Sequence, residues 1–337
     1  MELIKGTFLL LLVLAFFTTF SLKAPKGMKA MGALAGAATA SFLVEAFHTY
    51  VGGDLLGIKF LGQVGSSAGS MGGVTAAILV PLALGVNPVY AVMMGAVCGG
   101  MGILPGFITG YVMSFIIPKL EERIPAGLDL IIIICLAAPL GRGIAHFTSP
   151  GVTLTLKAIG EILIAAQTTS PYVMAFILGG VITVVATAPI SSMALTAMLG
   201  LTGLPMAIGA LSVMASSFMN YIFFHRMKFG DKSTTIAVAI EPLTQADIIS
   251  ANPIPIFATN FIGGGIAGMI VNYFGLINNA TGTATPIAGF AVMFGFNPAK
   301  DVLITAGLCA LSGLLIGYLG SLVFKDFKIK TVSEIRG

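Results

Sequence analysis

One carboxylate stands out because of where the sequence places it. Glu241 ends an apolar stretch that begins at Ile236, and it directly precedes a proline. An ionisable group at membrane depth costs about 2.5–3.5 kcal/mol on insertion scales, so it needs a partner or a polar cavity. A bound polar solute would supply hydrogen-bonding partners for the Glu241 carboxylate. The alternative is a loop carboxylate near the lipid headgroups, beside Asp231 and Asp247.

Two Gly-x-Asn-Pro elements supply further hydrogen-bonding side chains. They are residues 85–88 and 295–298, and a Ser/Thr/Gly-containing run precedes each of them. Such runs can break a helix and present backbone N–H groups and helix ends to a solute, although a simple turn between two spans is the alternative. We expect Asn87 and Asn297 to approach each other near the middle of the membrane. The predicted solute-binding residues are Glu241, Asn87, Asn297, Thr283, Thr285 and His146, the last of which is equally compatible with an interfacial loop.

These elements form a weak internal repeat. Residues 65–88 and 278–298 each run from a polar, glycine-containing stretch through an apolar one into Gly-x-Asn-Pro, and a looser relative covers 187–205. Long apolar helices are predicted after the first two. Matching broken helices in repeated halves are typical of transporters whose binding site lies near the bilayer midplane.

The composition indicates which solvent these elements fold in. Hydrophobic residues make up 57% of the 337 residues and charged residues only 9%, whereas soluble domains carry about a quarter charged residues. Apolar runs recur from Thr7 to Phe324, each roughly long enough to cross a hydrocarbon core of about 30 Å. The sequence therefore predicts an all-α polytopic membrane protein with about 8–10 transmembrane helices plus re-entrant hairpins.

Several function classes are disfavoured. The net charge of +4 is small and local, so it does not indicate nucleic-acid binding, and the three cysteines lie far apart without a C-x-x-C spacing. No P-loop, Ser/His/Asp arrangement or zinc-ligand cluster is evident, which disfavours an ATP-driven pump in this chain alone. We predict no catalytic residue, no metal site and no cofactor.

Clusters of basic residues predict the cytoplasmic side through the positive-inside rule. These clusters are Lys23 to Lys29, Lys119 to Arg123, His225 to Lys232 and Lys325 to the C-terminus. The spans predicted after Ala126 lie near 127–141, 150–166, 171–190, 193–223, 254–275 and 301–324, with re-entrant hairpins or half-helices around 235–250 and 280–297. Residues 1–20 are predicted to be a retained first helix, because no small-residue cleavage site precedes Lys23.

The order of these elements resembles the membrane-spanning IIC subunits of the bacterial phosphotransferase system for sugars, in particular the compact IIC-like group that includes the regulator of perfringolysin production. Ala239-Ile240-Glu241-Pro242 is similar to the Gly-x-Thr-Glu-Pro signature of glucose-type IIC proteins, whose glutamate contacts sugar hydroxyls. Asn252 to Pro255, followed by Gly263 to Gly268, resembles the Pro-then-Gly-rich helix after re-entrant hairpins in fructose-type members. The resemblance covers about residues 60–324.

The resemblance implies a permease for a sugar or sugar-like solute in the bacterial plasma membrane. It implies an elevator-type homodimer embedded in lipid, whose IIB and IIA phosphocarrier partners are separate proteins because this chain has no phosphoryl-carrying residue of its own. The expected organisation is a single membrane domain, 1–337, with N-terminal helices (1–59), a transport and scaffold core (60–324) and a cytoplasmic tail (325–337). The alternative is a membrane-embedded sensor that regulates toxin or metabolic genes without net transport. A neighbouring IIA or IIB gene would favour the permease, and a neighbouring transcription-factor gene the sensor.

Overall fold

The computed structural model describes residues 2–125, 127–166, 170–188, 192–198, 201–280 and 282–336. Throughout these ranges the regular secondary structure is helical, which confirms the predicted all-α polytopic fold. The looser copy of the repeat includes Pro189 to Ser191, which lie outside the described residues.

The helices of the first half of the chain are α1 (Glu2–Lys23), α2 (Gly27–Ala38), α3 (Lys59–Gly69), α4 (Gly72–Leu84), α5 (Pro88–Val97), α6 (Ile103–Glu121) and α7 (Asp129–Ala166). Two π-helical stretches, Thr39–Leu43 and Ala46–Leu55, follow α2. The helices of the second half are α8 (Pro171–Thr187), α9 (Ser192–Met198), α10 (Gly203–Met227), α11 (Lys232–Ile240), α12 (Ala246–Ala251), α13 (Pro253–Phe274), α14 (Pro286–Val292), α15 (Ala299–Val323) and α16 (Val332–Arg336). Two 3-10 turns, Pro242–Gln245 and Met293–Gly295, interrupt the second half.

In the described part of the chain, six helical stretches are long and apolar enough to cross a membrane. The count rises to seven if α3 and α4, which meet at a bend of 53°, form one broken span. Three shorter apolar helices, 88–97, 171–187 and 286–295, are additional. The predicted number of about 8–10 spans is therefore approached only if the short helices also insert.

Two predicted span boundaries are wrong. The predicted spans 127–141 and 150–166 are one continuous helix, α7, which contains Pro139 and Pro150. Neighbouring helices and side chains in a bundle can compensate for the backbone hydrogen bonds that proline removes. Conversely, the predicted span 193–223 is divided into α9 and α10.

The second half has a core built by close packing of α8, α10, α13 and α15. Fully buried apolar side chains fill it, including Leu178 and Ile182 on α8 and Ile208 and Leu211 on α10. Between α8 and α13 the contact is made through glycines, which let the two backbones approach closely. This packed core supports the short helices that follow α10.

Three of the four basic clusters meet at one end of the molecule. Met28 lies in the first cluster, Met227 and Phe229 in the third and Ile329 in the fourth, and all four side chains pack into the same apolar cluster. The shared location agrees with the prediction that these three clusters lie on one side of the membrane.

We expect single cysteines placed in any of the basic clusters to resist an impermeant maleimide added to intact cells, because the positive-inside rule puts them in the cytoplasm. The variants would be built after replacing Cys135, the exposed native cysteine of the described chain. Labelling after permeabilisation is the positive control. Rapid external labelling of any two clusters would contradict the topology. The cluster Lys119 to Arg123 gives the most informative result. Two membrane spans were predicted directly after it, but α7 is one continuous helix there, so one predicted crossing of the membrane is lost.

Candidate functional site

Helix α11 positions Glu241 at its C-terminal end. Asp231, directly before the helix, is its N-cap: the Asp231 carboxylate accepts a hydrogen bond from the Thr234 N–H at 2.8 Å. It stops at Glu241 because a residue before proline is disfavoured in the helical conformation. The Glu241 backbone is accordingly extended, with φ −152° and ψ 105°, and Pro242 opens a 3-10 turn.

Thr285 is placed by the same rule at the start of α14. It precedes Pro286, the first residue of that helix, and its backbone is also extended, with φ −142° and ψ 151°. The two polar side chains of the site therefore both belong to residues that directly precede a proline, Glu241 at the end of α11 and Thr285 at the start of α14.

The side chains of Glu241 and Thr285 face each other. The Thr285 hydroxyl donates a hydrogen bond to Glu241 Oε2 at 2.9 Å. Thr285 is buried, whereas Glu241 is half-buried. Among the described residues, the second oxygen, Oε1, has only a long 3.5 Å contact with the Leu243 N–H, which is at the limit of hydrogen bonding. The arrangement leaves acceptor capacity on the carboxylate for another donor.

The loop before α14 holds Thr285 in place through buried polar side chains. Asn278 donates through Nδ2 to the Thr283 hydroxyl at 2.9 Å and accepts from the Ala280 N–H at 2.9 Å. Thr283 in turn donates to the Ala280 carbonyl at 2.8 Å. Asn278 and Thr283 are fully buried. Thr283, one of the predicted binding residues, is thus engaged in fixing the loop that presents Thr285.

Sequence reasoning missed Asn278 and two residues of the 3-10 turn after Glu241. The Thr244 hydroxyl donates to the Glu241 carbonyl oxygen at 2.7 Å, and the Gln245 amide donates to Thr244 Oγ1 at 3.1 Å. A signal was present, because polar side chains in a short apolar segment need internal partners. Their partners could not be read from the sequence.

An apolar groove of about 750 Å³ runs beside this site. It lies between α10, α11, α14 and α15, and its lining includes Ile240 and Pro286, the direct neighbours of Glu241 and Thr285. Ligand sites commonly combine an apolar wall with a few polar groups that fix orientation. The Glu241–Thr285 pair is adjacent in sequence to residues of this apolar wall, although neither of the two side chains is part of the groove lining.

The other predicted residues have local roles. Asn87 is exposed and caps α5 by accepting from the Val89 N–H at 2.9 Å. The Asn297 side chain donates to the Ile277 carbonyl at 2.7 Å and accepts from the Ile277 N–H at 2.9 Å, which closes the base of the loop before α14. His146 is exposed on α7. A shared cavity for Asn87 and Asn297 remains a prediction.

The two copies of the repeat differ in detail. Asn87 is the N-cap of α5, with Pro88 at its first position, and Gly85 adopts a left-handed conformation with φ +94°. In the second copy the N-cap of α15 is Pro298, so Asn297 lies one residue further from the helix. The shared sequence pattern therefore produces a break in both places but not the same cap.

Comparison with protein families supplies the assignment. The family model described as "Phosphotransferase system, EIIC" matches residues 28–335. The chain belongs to this EIIC family. The match begins upstream of the predicted core at residue 60 and runs through most of the tail, so the EIIC region of the protein is larger than the sequence resemblance indicated. Membership supports a multi-pass membrane permease acting in a phosphotransferase context. Comparisons with curated proteins and with solved structures gave no match.

In this EIIC protein we expect Thr285→Val to weaken solute binding by about three- to tenfold, because it removes one hydrogen bond to Glu241 while keeping the β-branched shape. Thr285→Ser should bind within about twofold of the parent, since it retains the hydroxyl. Isothermal calorimetry with a sugar that stabilises the parent protein would measure both. Equal affinity of the valine variant and the parent would show that the Thr285 hydroxyl has no part in binding.

Proposed function

We propose that this EIIC protein transports a sugar or sugar-like solute and that Glu241 binds hydroxyl groups of that solute. The observation that supports the proposal most strongly is the pairing of Glu241 with Thr285 across two proline-broken segments, beside an apolar groove. The pairing places a carboxylate, which accepts charge-assisted hydrogen bonds, next to a hydroxyl group.

The chemistry of the pair suits a polyhydroxyl solute. An ionised carboxylate accepts through two oxygens, and hydrogen bonds to it are about twice as strong as those between neutral groups. The hydroxyl of Thr285 both donates and accepts. A sugar hydroxyl could donate to Glu241 while the sugar's apolar ring face lies against residues such as Ile240 and Pro286.

The remaining parts of the proposal rest on family membership. The EIIC match supports transport in a phosphotransferase context, and so a bacterial plasma membrane and docking of IIB and IIA phosphocarriers. We propose a homodimer surrounded by lipid, in which a scaffold part stays fixed and the part carrying Glu241 moves as an elevator. Thr283, Asn87, Asn297 and His146 complete the proposed set of solute-contacting residues.

Uptake into proteoliposomes tests the function directly. Purified protein would be reconstituted with and without phosphorylated IIB, and a panel of radiolabelled sugars would be offered outside. Sugar accumulating as its phosphate only with phosphorylated IIB would support the phosphotransferase permease. Uptake without phosphorylation would indicate a permease that has lost the coupling. Saturable binding without uptake under either condition would favour the sensor or regulator.

A further inference from the structure

The C-terminal segment packs against the part of the chain from α11 to α12, which carries Glu241. The Val332 N–H donates to the Phe229 carbonyl at 2.7 Å. Asn252, at the end of α12, donates to the Lys330 carbonyl at 2.9 Å and accepts from the Lys330 N–H at 2.7 Å. Ile335 is buried in the apolar cluster that contains Phe229. The tail is therefore part of the folded body.

The tail ends in a bidentate ion pair. Arg336 Nε donates to Asp247 Oδ2 at 2.8 Å, and Arg336 Nη2 donates to Asp247 Oδ1 at 2.8 Å. The Asp247 side chain is 3% exposed, so an unpaired carboxylate there would carry a large desolvation cost. The hydrogen bond to Asp247 also raises the pKa of the Arg336 guanidinium.

From this ion pair an unbroken chain of hydrogen bonds leads to Glu241. Arg336 Nη2 also donates to Gln245 Oε1 at 2.9 Å. Gln245 Nε2 donates to the Thr244 hydroxyl at 3.1 Å, which donates to the Glu241 carbonyl at 2.7 Å. Within this series of hydrogen bonds, Arg336 and Gln245 are 91 positions apart in the sequence. Two of the linking atoms are shared with other partners: Arg336 Nη2 also donates to Asp247 Oδ1, and the Thr244 hydroxyl also lies 3.4 Å from the Ala237 carbonyl oxygen.

We propose that residues 330–336 form a strap that fixes the 3-10 turn after Glu241, and that Arg336 is a positioning residue for the Glu241 carboxylate. The turn sets the direction of the Glu241 side chain, because its backbone leaves the helix at that residue. If the strap is lifted, the turn loses the bond from Arg336 to Gln245, and α12 directly after it loses the bonds from Arg336 to Asp247, so the carboxylate is freed to leave Thr285. The importance of Arg336 for transport rests on the proposed function; the positioning itself does not.

Hydrogen–deuterium exchange of the full-length protein in lipid nanodiscs tests the strap without any solute. The informative amide is that of Thr244, which donates to the Glu241 carbonyl at 3.0 Å. Gln245→Leu cuts the chain in its middle but leaves the Arg336–Asp247 ion pair. Arg336→Ala removes both connections, and Arg336→Lys keeps the charge without the bidentate fork. Lys328→Ala is the control, because Lys328 is an exposed basic residue of the same tail.

We expect Gln245→Leu to speed exchange in peptides covering residues 241–245 by about tenfold, the effect of losing one hydrogen-bond connection, while the peptide covering 329–336 stays protected. Arg336→Ala should speed exchange in both peptides, Arg336→Lys should restore part of the protection, and Lys328→Ala should change neither. Should Arg336→Ala fail to fold, Gln245→Leu decides the question alone. Unchanged exchange at 241–245 in Gln245→Leu, or equal loosening by Lys328→Ala, would overturn the strap. Because this readout contains no sugar, a failure of solute binding would leave it intact.

Discussion

Glu241→Ala is expected to reduce solute affinity by about a hundredfold or more, the loss of roughly two hydrogen bonds to a charged acceptor. Glu241→Gln keeps the shape of the side chain but removes the charge, so about a tenfold loss is expected. Both expectations follow from the acceptor capacity that the long 3.5 Å contact leaves on Glu241 Oε1. Calorimetry or a thermal-shift titration with a stabilising sugar would measure the affinities.

The matched control is Glu122→Gln, which changes an exposed glutamate after α6 and should leave affinity within about twofold. Gel-filtration profiles would show whether each variant is folded. The sugar-binding role of Glu241 would have to be abandoned if folded Glu241→Ala bound as tightly as the parent. Glu241 would then be a structural residue whose carboxylate holds Thr285 in place.

Gly264→Ala is expected to have the largest effect on stability. A methyl group at Gly264 would collide with Thr183 and with the carbonyl oxygen of Gly179, both on α8. A backbone carbonyl cannot rotate away as a side chain can, so α8 and α13 would have to separate. Overpacking of this kind costs about 1–3 kcal/mol, sometimes more. We expect a lower apparent melting temperature and less monodisperse protein in fluorescence-detected gel filtration.

Gly307→Ala provides the matched control within the same half of the molecule. A methyl group at Gly307, in the middle of α15, would meet no atom within 4 Å. Replacing a helical glycine with alanine is worth about 0.5–1 kcal/mol where space allows, so this variant should be neutral or slightly more stable. If both variants had the same stability, α8 and α13 would not approach as closely as the structure indicates.

The sequence alone determined the class of the protein and the bounds of some of its helices. The predicted spans 254–275 and 301–324 correspond to α13 (Pro253–Phe274) and α15 (Ala299–Val323). The breaks at Pro242 and Pro286 were also predictable, because apolar length and the local effect of proline are properties of neighbouring residues. Composition and the Ile-Glu-Pro setting pointed to Glu241 for the same reason.

Only the tertiary structure decided what those residues contact. Glu241 meets Thr285 across 44 positions, and Arg336 reaches Asp247 across 89. The continuity of α7 through Pro139 and Pro150 was likewise invisible, since neighbouring groups supply the compensation for a proline. A sequence shows that a polar group at membrane depth needs a partner. Which partner satisfies it depends on how the helices pack, since residues far apart in the chain become neighbours only in the folded body.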